Sequence, residues 1–421
     1  MAQGKLYERH VAPFLQEALQ DSPAVLIHGP RQCGKSTLAL QVGRRAGYDY
    51  ISFDDDVARL AAMDDPAGFV SDLPDGVIID EVQHVPDLFS TLKLMIDRRR
   101  EPGRFLLTGS SNLLLLPALA DSLAGRMQVL RLHPLSQTEL ARRRPEFLDA
   151  LFARNLEART ATRLGSELAD RIVAGGYPPA LLRPAGRRRA NWYIDYVDAV
   201  VQRDVRDLAR ISAFDVLPQM LRLAAAQTSS LFNLSALGAP FRQTLPTITD
   251  YFALLERVFL VHRLPPWHNN RTSRLVKAPK LHVADTGVAC ALLGADAATL
   301  RDDRQLLGQL LETFVLQELR CQAACHPHPL AFFHYRDKDK VEVDIVIDAG
   351  SRGLAGVEVK AGATVRKDDF RGLRKLQRSE PGRFVAGVVL YDGEMCASFG
   401  EGLYAVPIRL LWDPVRVCRR P

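Results

Sequence analysis

The 421-residue chain contains no apolar run near the roughly 20 residues that a membrane-spanning helix needs, so no membrane partner is expected. Its first residues, Met1 to Lys5, lack the apolar stretch of a signal peptide, and the cytoplasm is the expected compartment. Cysteine is scarce: six residues in so long a chain do not make a disulfide framework and read as reduced thiols. Internal repeats and low-complexity segments are also missing, which excludes solenoids and extended linkers. Acidic residues are outnumbered, 49 against 55 Lys and Arg, for a net charge of +6 and a pI near 9.0. That balance leans towards an anionic partner, nucleic acid first. The basic charge is clumped at Arg98–Arg100, Arg142–Arg144 and Arg187–Arg189, although each clump reads equally well as a solvated helix end.

What is present is an ordinary globular composition, 47% hydrophobic and 25% charged, in a chain long enough for two to four domains. Over residues 1–135 apolar runs alternate with helical segments, the pattern of a parallel α/β sheet. The candidate strands are Ala24–His28, Tyr50–Phe53, Val77–Asp80, Phe105–Thr108 and Met127–Arg131. Residues 136–210 turn to helical texture rich in Leu, Ala and Arg, broken at Gly175-Gly176 and Pro178-Pro179. Residues 211–295 carry three compact helical patterns and two short strands. Residues 296–421 open with an amphipathic helix, Leu306–Arg320, followed by strand-like runs that include Val341–Ile347 and Gly356–Lys360.

Gly29-Pro30-Arg31-Gln32-Cys33-Gly34-Lys35-Ser36, followed by Thr37, matches the phosphate-binding pattern G-x-x-x-x-G-K-[ST] at every fixed position. Glycines let backbone N–H groups wrap phosphates, Lys35 neutralises the β/γ charge, and Ser36 offers a hydroxyl to Mg2+. The loop follows an apolar strand and opens a helix whose positive end faces the anion. Cys33 occupies a free position; beside Lys35 its thiol is either reactive or simply buried. Val77–Asp80 then delivers Asp80 to the Mg2+ shell and Glu81 to the place that polarises the attacking water. A polar cluster from Thr108 to Asn112, centred on Ser110, ends the next strand and is suited to orient water, or is a plain turn. ATP and Mg2+ are therefore the expected ligands.

These segments resemble the AAA-type ATPases that carry a C-terminal domain of uncharacterised function. The resemblance rests on residues 29–37, 78–89, 105–112 and 122–126, then 133–140 and 175–178, and extends through Thr247–Leu264, Lys280–Gly287 and Val357–Lys360. It implies hydrolysis and a homo-oligomer, with hexamers favoured among relatives. It also implies an arginine finger at Arg126, reaching a neighbouring subunit's nucleotide; the other reading of Arg126 is a salt-bridged surface side chain.

In the middle segment, Phe232–Leu237 and Thr247–Leu255 read as helices before a strand-like Phe259–Leu264. A loop with Trp267, Asn269, Asn270, Arg271, Arg274 and Lys277 and no acidic residue returns into Lys280–Val283. Two helices and a basic hairpin describe a winged helix, either on duplex or branched DNA or packed inside the protein as a connector. In the last segment Glu312 lies on the amphipathic helix, Asp344 in a strand, and Glu358 with Lys360 on one face of the next strand. This set resembles the PD-(D/E)XK, or restriction-endonuclease-like, nuclease fold. There Glu312, Asp344 and Glu358 would hold Mg2+ and Lys360 would activate water. An active nuclease, a degenerate fold used for binding and an unrelated fold all remain open. Gln377 is a further polar residue of the kind found there. Cys321, Cys325, His326 and His328 match no common zinc spacing. Three function classes result: an ATPase acting on DNA by remodelling or translocation, with or without nuclease activity; a slow ATP-dependent switch that binds a protein partner; and a small-molecule or nucleotide kinase. The multidomain build and the lack of an obvious acceptor site disfavour the kinase.

Overall fold

The computed structural model describes residues 6–111, 125–156, 160–205, 215–241, 243–268 and 278–413. Five short strands, β1 (Ala24–His28), β2 (Asp49–Ser52), β3 (Val77–Asp80), β4 (Phe105–Gly109) and β5 (Met127–Arg131), form a parallel sheet in the order β2-β3-β4-β1-β5. The second begins at Asp49, one residue before the expected start. β1, β3 and β4 are buried along their whole length, as strands covered on both faces must be. Alternation along β1 divides the packing. Val25 and Ile27 meet Leu15 of α1 (Ala12–Asp21) and Leu38 of α2 (Lys35–Gly43), while Ala24 and Leu26 face Leu88, Leu92 and Ile96 of α3 (Leu88–Arg98). Because the strands are parallel and in register (His28 opposite Gly109, Ser52 opposite Asp80), their C-terminal ends share one edge. The segments after β1, β3 and β4 therefore emerge together, where open α/β sheets collect ligands.

Beyond the sheet the chain turns helical, with α4 (Gln137–Leu140), α5 (Ser166–Ala174) and α6 (Arg187–Ala199), the last running on as a π-helical stretch over Val200–Val205. Three helices, α7 (Val216–Ala226), α8 (Leu234–Gly238) and α9 (Leu245–Arg257), accompany the antiparallel strands β6 (Ser230–Leu231), β7 (Val261–Leu264) and β8 (Lys280–Val283). Their order is β6-β8-β7. Next comes α10 (Arg304–Ala323), longer than the expected 306–320 because Asp303 caps it, accepting from the Gln305 and Leu306 amides.

The C-terminal sheet is mixed. β10 (Glu342–Asp348) pairs antiparallel with both β9 (Ala331–Arg336) and β11 (Leu354–Lys360). β11, β12 (Phe384–Tyr391) and β14 (Leu403–Pro407) are parallel, with the short β13 (Ala397–Ser398) at the edge beside β14. One apolar core has members from Phe147 to Trp412, and a second, built around Trp267, Val343, Phe370 and Val389, lies on the other face of the C-terminal sheet. Asn112, most of 122–126 and the loop residues Asn269, Asn270, Arg271, Arg274 and Lys277 lie outside the described residues. No helix among the described residues is long and apolar enough to cross a membrane.

Candidate functional site

The Gly29–Thr37 loop leaves β1 through backbone that only small or permissive residues accept. A Cβ on Gly29 would lie 2.0 Å from the Leu132 carbonyl oxygen, and Gly34 takes φ +104°, the left-handed region closed to most side chains. Gln32 is also left-handed, at φ 59°. Lys35 opens α2 with its side chain folded back inside the loop, where Nζ donates to the Pro30 carbonyl at 3.0 Å. It is 3% exposed, and among the described residues no carboxylate lies within ion-pair distance of it. A buried ammonium whose hydrogen bond goes to a neutral carbonyl, with Glu81 attracting it only from beyond ion-pair distance, is short of counter-charge, which fits a phosphate. Thr37 faces outward in the first turn of α2. Cys33 is fully buried, its Sγ near the Leu132 carbonyl at 3.6 Å, and burial pushes the thiol up from its ordinary range. Of the two readings of Cys33, burial is the one observed.

Asp80 comes from the end of β3 and is gripped by three hydroxyls. Ser36 donates to one carboxylate oxygen at 2.9 Å, Thr108 donates to the same oxygen, and Tyr50 donates to the other at 2.7 Å. The Ser36–Asp80 pair fits a divalent ion held beside phosphates, and those two residues would hold Mg2+ there. Glu81 follows in a left-handed conformation, φ 56°, its amide donating to the Thr108 hydroxyl at 3.1 Å. Gln83 donates to Glu81 and, at 2.8 Å, to the Ser110 hydroxyl, which places Ser110 beside Glu81. Burial opposes ionisation of Glu81, yet Lys35, Gln83, Ser110 and Arg31 hold it below the ordinary carboxylate range. An ionised glutamate beside a phosphate cradle can orient a water and accept its proton.

Several residues here were invisible in the sequence pattern. Arg31 pairs through Nε with both oxygens of Asp204, each at 2.7 Å, from the π-helical stretch 173 positions away. Behind the loop the buried Arg9 donates to the Cys33 carbonyl at 2.7 Å and to the His133 carbonyl at 2.6 Å, and pairs with Glu139 at 3.0 Å. Glu139 closes the capping box of α4, whose first amides, Gln137 at 2.6 Å and Thr138 at 3.3 Å, donate to buried Glu318 of α10. The Arg9–Glu139, Arg31–Asp204 and Gln137–Glu318 contacts join positions 130 to 181 residues apart, and no local spacing announces them.

Arg126 sits at the start of β5, beside the start of β1 and thus at the sheet edge opposite the loop. Its guanidinium grips Asp97 of α3 at 2.7 and 2.9 Å. Two of the basic clumps are partly neutralised: Arg99 pairs with Asp75 and Glu101, Arg100 with Asp97, and Arg143 with Asp413 at 3.6 Å. In the third, Arg189 donates to the neutral Ala180 and Arg183 carbonyls.

The second constellation is drawn together by a residue the sequence pattern did not single out for it. Lys280, on β8, is 3% exposed, and its Nζ lies 2.7 Å from Glu312, 3.2 Å from Asp344 and 3.9 Å from Glu342. The other oxygen of Asp344 accepts the Val359 amide at 2.9 Å. Glu358 pairs with Lys360 at 2.9 Å. Burial and the neighbouring Asp344 push the Glu358 carboxyl up to about 8 against the pull of Lys360 and Lys280, and burial likewise raises Glu312. The four residues expected together are together, but an ammonium lies among them. Among the described residues no group of three His, Cys, Asp or Glu side chains is placed to hold a metal ion. That includes Cys321, Cys325, His326 and His328, where His326 meets Asp149 at 3.2 Å instead. Gln377 turns to the Glu401 carbonyl at 2.8 Å.

Comparison with known proteins now bears on this geometry. Residues 21–141 match a family model described as an AAA domain. Residues 165–299 and 307–411 match two models each described as a domain of unknown function (DUF8612 and DUF4143). Among solved structures, the Walker-type ATPase paby2304 of Pyrococcus abyssi covers 69% of this chain and 97% of its own at 17% identity, TM-score 0.44. A RuvB Holliday junction branch migration motor from Thermotoga maritima covers 62% and 90% at 18% identity, TM-score 0.30. Overlays this loose say nothing about activity. The uncharacterized proteins Rv2008c of Mycobacterium tuberculosis and Mb2031c of Mycobacterium bovis are 30% identical over 404 residues, 95% of this chain and 83% of each relative. The chain belongs to the family of these uncharacterized mycobacterial proteins, and it carries an AAA-type P-loop ATPase domain at its N-terminal end with two further domains behind it.

Proposed function

We propose that the protein is a Mg2+-dependent ATPase working as a conformational switch, with a nuclease-like C-terminal domain used for binding rather than cleavage. The observation that carries this reading is the Lys280 ammonium, 2.7 Å from Glu312 and 3.2 Å from Asp344. A buried divalent-ion site needs carboxylates left short of positive charge; here a tethered cation already supplies it. At the P-loop the opposite holds. Lys35 and the loop amides are free to meet phosphates, Ser36 and Asp80 would hold Mg2+, and Glu81 would take the proton of the attacking water. Incubating branched and linear DNA with the protein and Mg2+ or Mn2+ tests the claim. No cleavage is expected; products that disappear in Asp344→Ala would overturn it.

The DNA-acting reading keeps support from the exposed Arg142–Arg144 run and from Arg187 and Arg188. It also keeps the winged-helix pattern, three helices with β6-β8-β7. ATP turnover measured against duplex, branched and single-stranded DNA separates the two. Strong stimulation supports remodelling or translocation, and indifference supports a protein partner. Arg126 lies far from its own loop, so a finger role requires a neighbouring copy and an oligomer, up to a hexamer. Arg126→Ala should then bind ATP normally and lose roughly 10³-fold in turnover; full turnover at saturating ATP would sink the assignment.

A further inference from the structure

Arg31 is the third residue of the loop, yet its side chain reaches towards the helical segment. Nε lies 2.7 Å from each oxygen of Asp204, while Nη2 is buried and has no partner among the described residues. An unsatisfied guanidinium nitrogen in a phosphate loop is expensive to bury unless something else uses it. Arg31 lies within the Gly29–Thr37 loop itself, so its free nitrogen sits on the segment that meets phosphates.

Asp204 belongs to Val200–Val205, where α6 loosens from α-helical to π-helical pairing, a local geometry that proteins favour at functional positions. The residue before it, Arg203, pairs with Asp54 just beyond β2 at 2.9 Å. Two consecutive side chains of one segment thus grip the P-loop domain with crossed charges. Asp204 itself is an awkward neighbour for phosphate: burial, with Arg31 opposing, pushes its carboxyl up to about 6, and the nearby Glu81 adds to that push.

We propose that Arg31 reads the terminal phosphate of the nucleotide and that Asp204 is the competing acceptor from which it is drawn. With no terminal phosphate to meet, Arg31 stays on Asp204 and the segment Val200–Val205 is held. A triphosphate takes the guanidinium, and Asp204, left facing Glu81 and phosphate, loosens the segment, whose Val200, Val201 and Val205 belong to the core that runs on to Trp412. Arg31 is then a ligand-touching residue and Asp204 a positioning residue acting through it. This rests on the ATPase reading above and adds the device that distinguishes ATP from ADP.

The experiment measures dissociation constants for a non-hydrolysable ATP analogue and for ADP, each with Mg2+, together with hydrogen exchange of residues 196–205. In the wild type the segment should exchange faster with the analogue than with ADP. Asp204→Asn should tighten the analogue by roughly tenfold, as expected for a charge-assisted hydrogen bond set free, while shifting ADP less than twofold. Arg31→Ala should abolish the preference for triphosphate, and Arg31→Lys should restore part of it, which a purely structural role would not do. If the wild type binds both nucleotides but Asp204→Asn and Arg31→Ala leave their affinity ratio and the exchange unchanged, the sensor is overturned. If the wild type binds neither nucleotide, the ATPase reading itself falls.

Discussion

Two lysines of this chain are equally buried, and their surroundings separate the two ends of the molecule. Lys35 has a neutral carbonyl for its hydrogen bond and no carboxylate at ion-pair distance among the described residues. Lys280 is flanked by Glu312 and Asp344 with Glu342 further out. The neighbours feel the difference. Beside the loop, burial together with Arg131 and Lys35 pushes the base His28 down to about 3. In the cluster, burial together with Asp344 pushes the acid Glu358 up to about 8. One pocket has a positive field waiting for an anion; the other has been closed from within. The same residue type makes a ligand site or a structural ion cluster according to whether its counter-charge is built in.

The hardest blow to this contrast should come from Lys280→Met. Removing the ammonium leaves Glu312 and Asp344 buried against each other, a loss of roughly 3–5 kcal/mol for a broken buried pair. Urea unfolding should show it, and adding Glu312→Gln to the variant should return part of the loss. A stable single variant that gained tight Mn2+ binding would mean that Lys280 only covers a working metal site. Lys35→Ala should do the reverse. ATP-analogue affinity falls by at least roughly a hundredfold, as expected when a charged phosphate partner is removed, while the urea midpoint moves far less than in Lys280→Met, because no carboxylate at ion-pair distance is left bare among the described residues. A variant that binds the analogue like wild type would end the claim that Lys35 awaits phosphate.

A smaller effect sharpens the field argument through pH. The folded pKa of His28 lies below the unfolded 6.5, so its contribution is fully present above pH 6.5 and is lost as pH falls towards 3. By pH 5 that loss is roughly 2 kcal/mol, from about 1.4 kcal/mol per pH unit. Other buried histidines, including His262 and His282, are depressed in the same direction, so the check is a difference. Between pH 7.5 and 5, His28→Asn should lose less stability than wild type by that amount. Equal losses would show that His28 titrates normally.

What was legible in the sequence follows the range of the interactions. Gly29–Ser36 and Val77–Glu81 are contiguous, and their chemistry depends on backbone turns and strand ends that a few adjacent residues dictate. The C-terminal acids were legible because strand alternation puts Glu358 and Lys360 on one face and pairing of β10 with β11 brings Asp344 to it. The groups that decide what each site does were not legible. Asp204 comes to Arg31 across 173 positions, Glu139 to Arg9 across 130, and Lys280 to Asp344 across 64. Each arrives on an element whose own periodicity records only that it packs, and charge partners at such distances leave no spacing to read.

Tyr50 is the mildest of these missed partners and tests the finest part of the contrast. Asp80 and Asp344 are both carboxylates near strand ends, but their donors differ. Asp80 is held by the hydroxyls of Ser36, Thr108 and Tyr50, neutral groups that orient a carboxylate and leave it negative. Asp344 is held by the Lys280 ammonium and a backbone amide, and its charge is answered. If neutral donors keep Asp80 ready for Mg2+, removing one should loosen its aim without changing its charge. Tyr50→Phe should therefore cost about 1 kcal/mol of stability, the ordinary worth of one hydrogen bond, and lower ATP turnover at limiting Mg2+ by a few-fold, with recovery as Mg2+ is raised. Because Tyr50 is partly exposed, the stability change should sit at the low end of that range. Turnover that fell equally at all Mg2+ concentrations would place the role of Tyr50 in β2 packing instead, and would leave Ser36 and Thr108 as the donors that set Asp80 apart from Asp344.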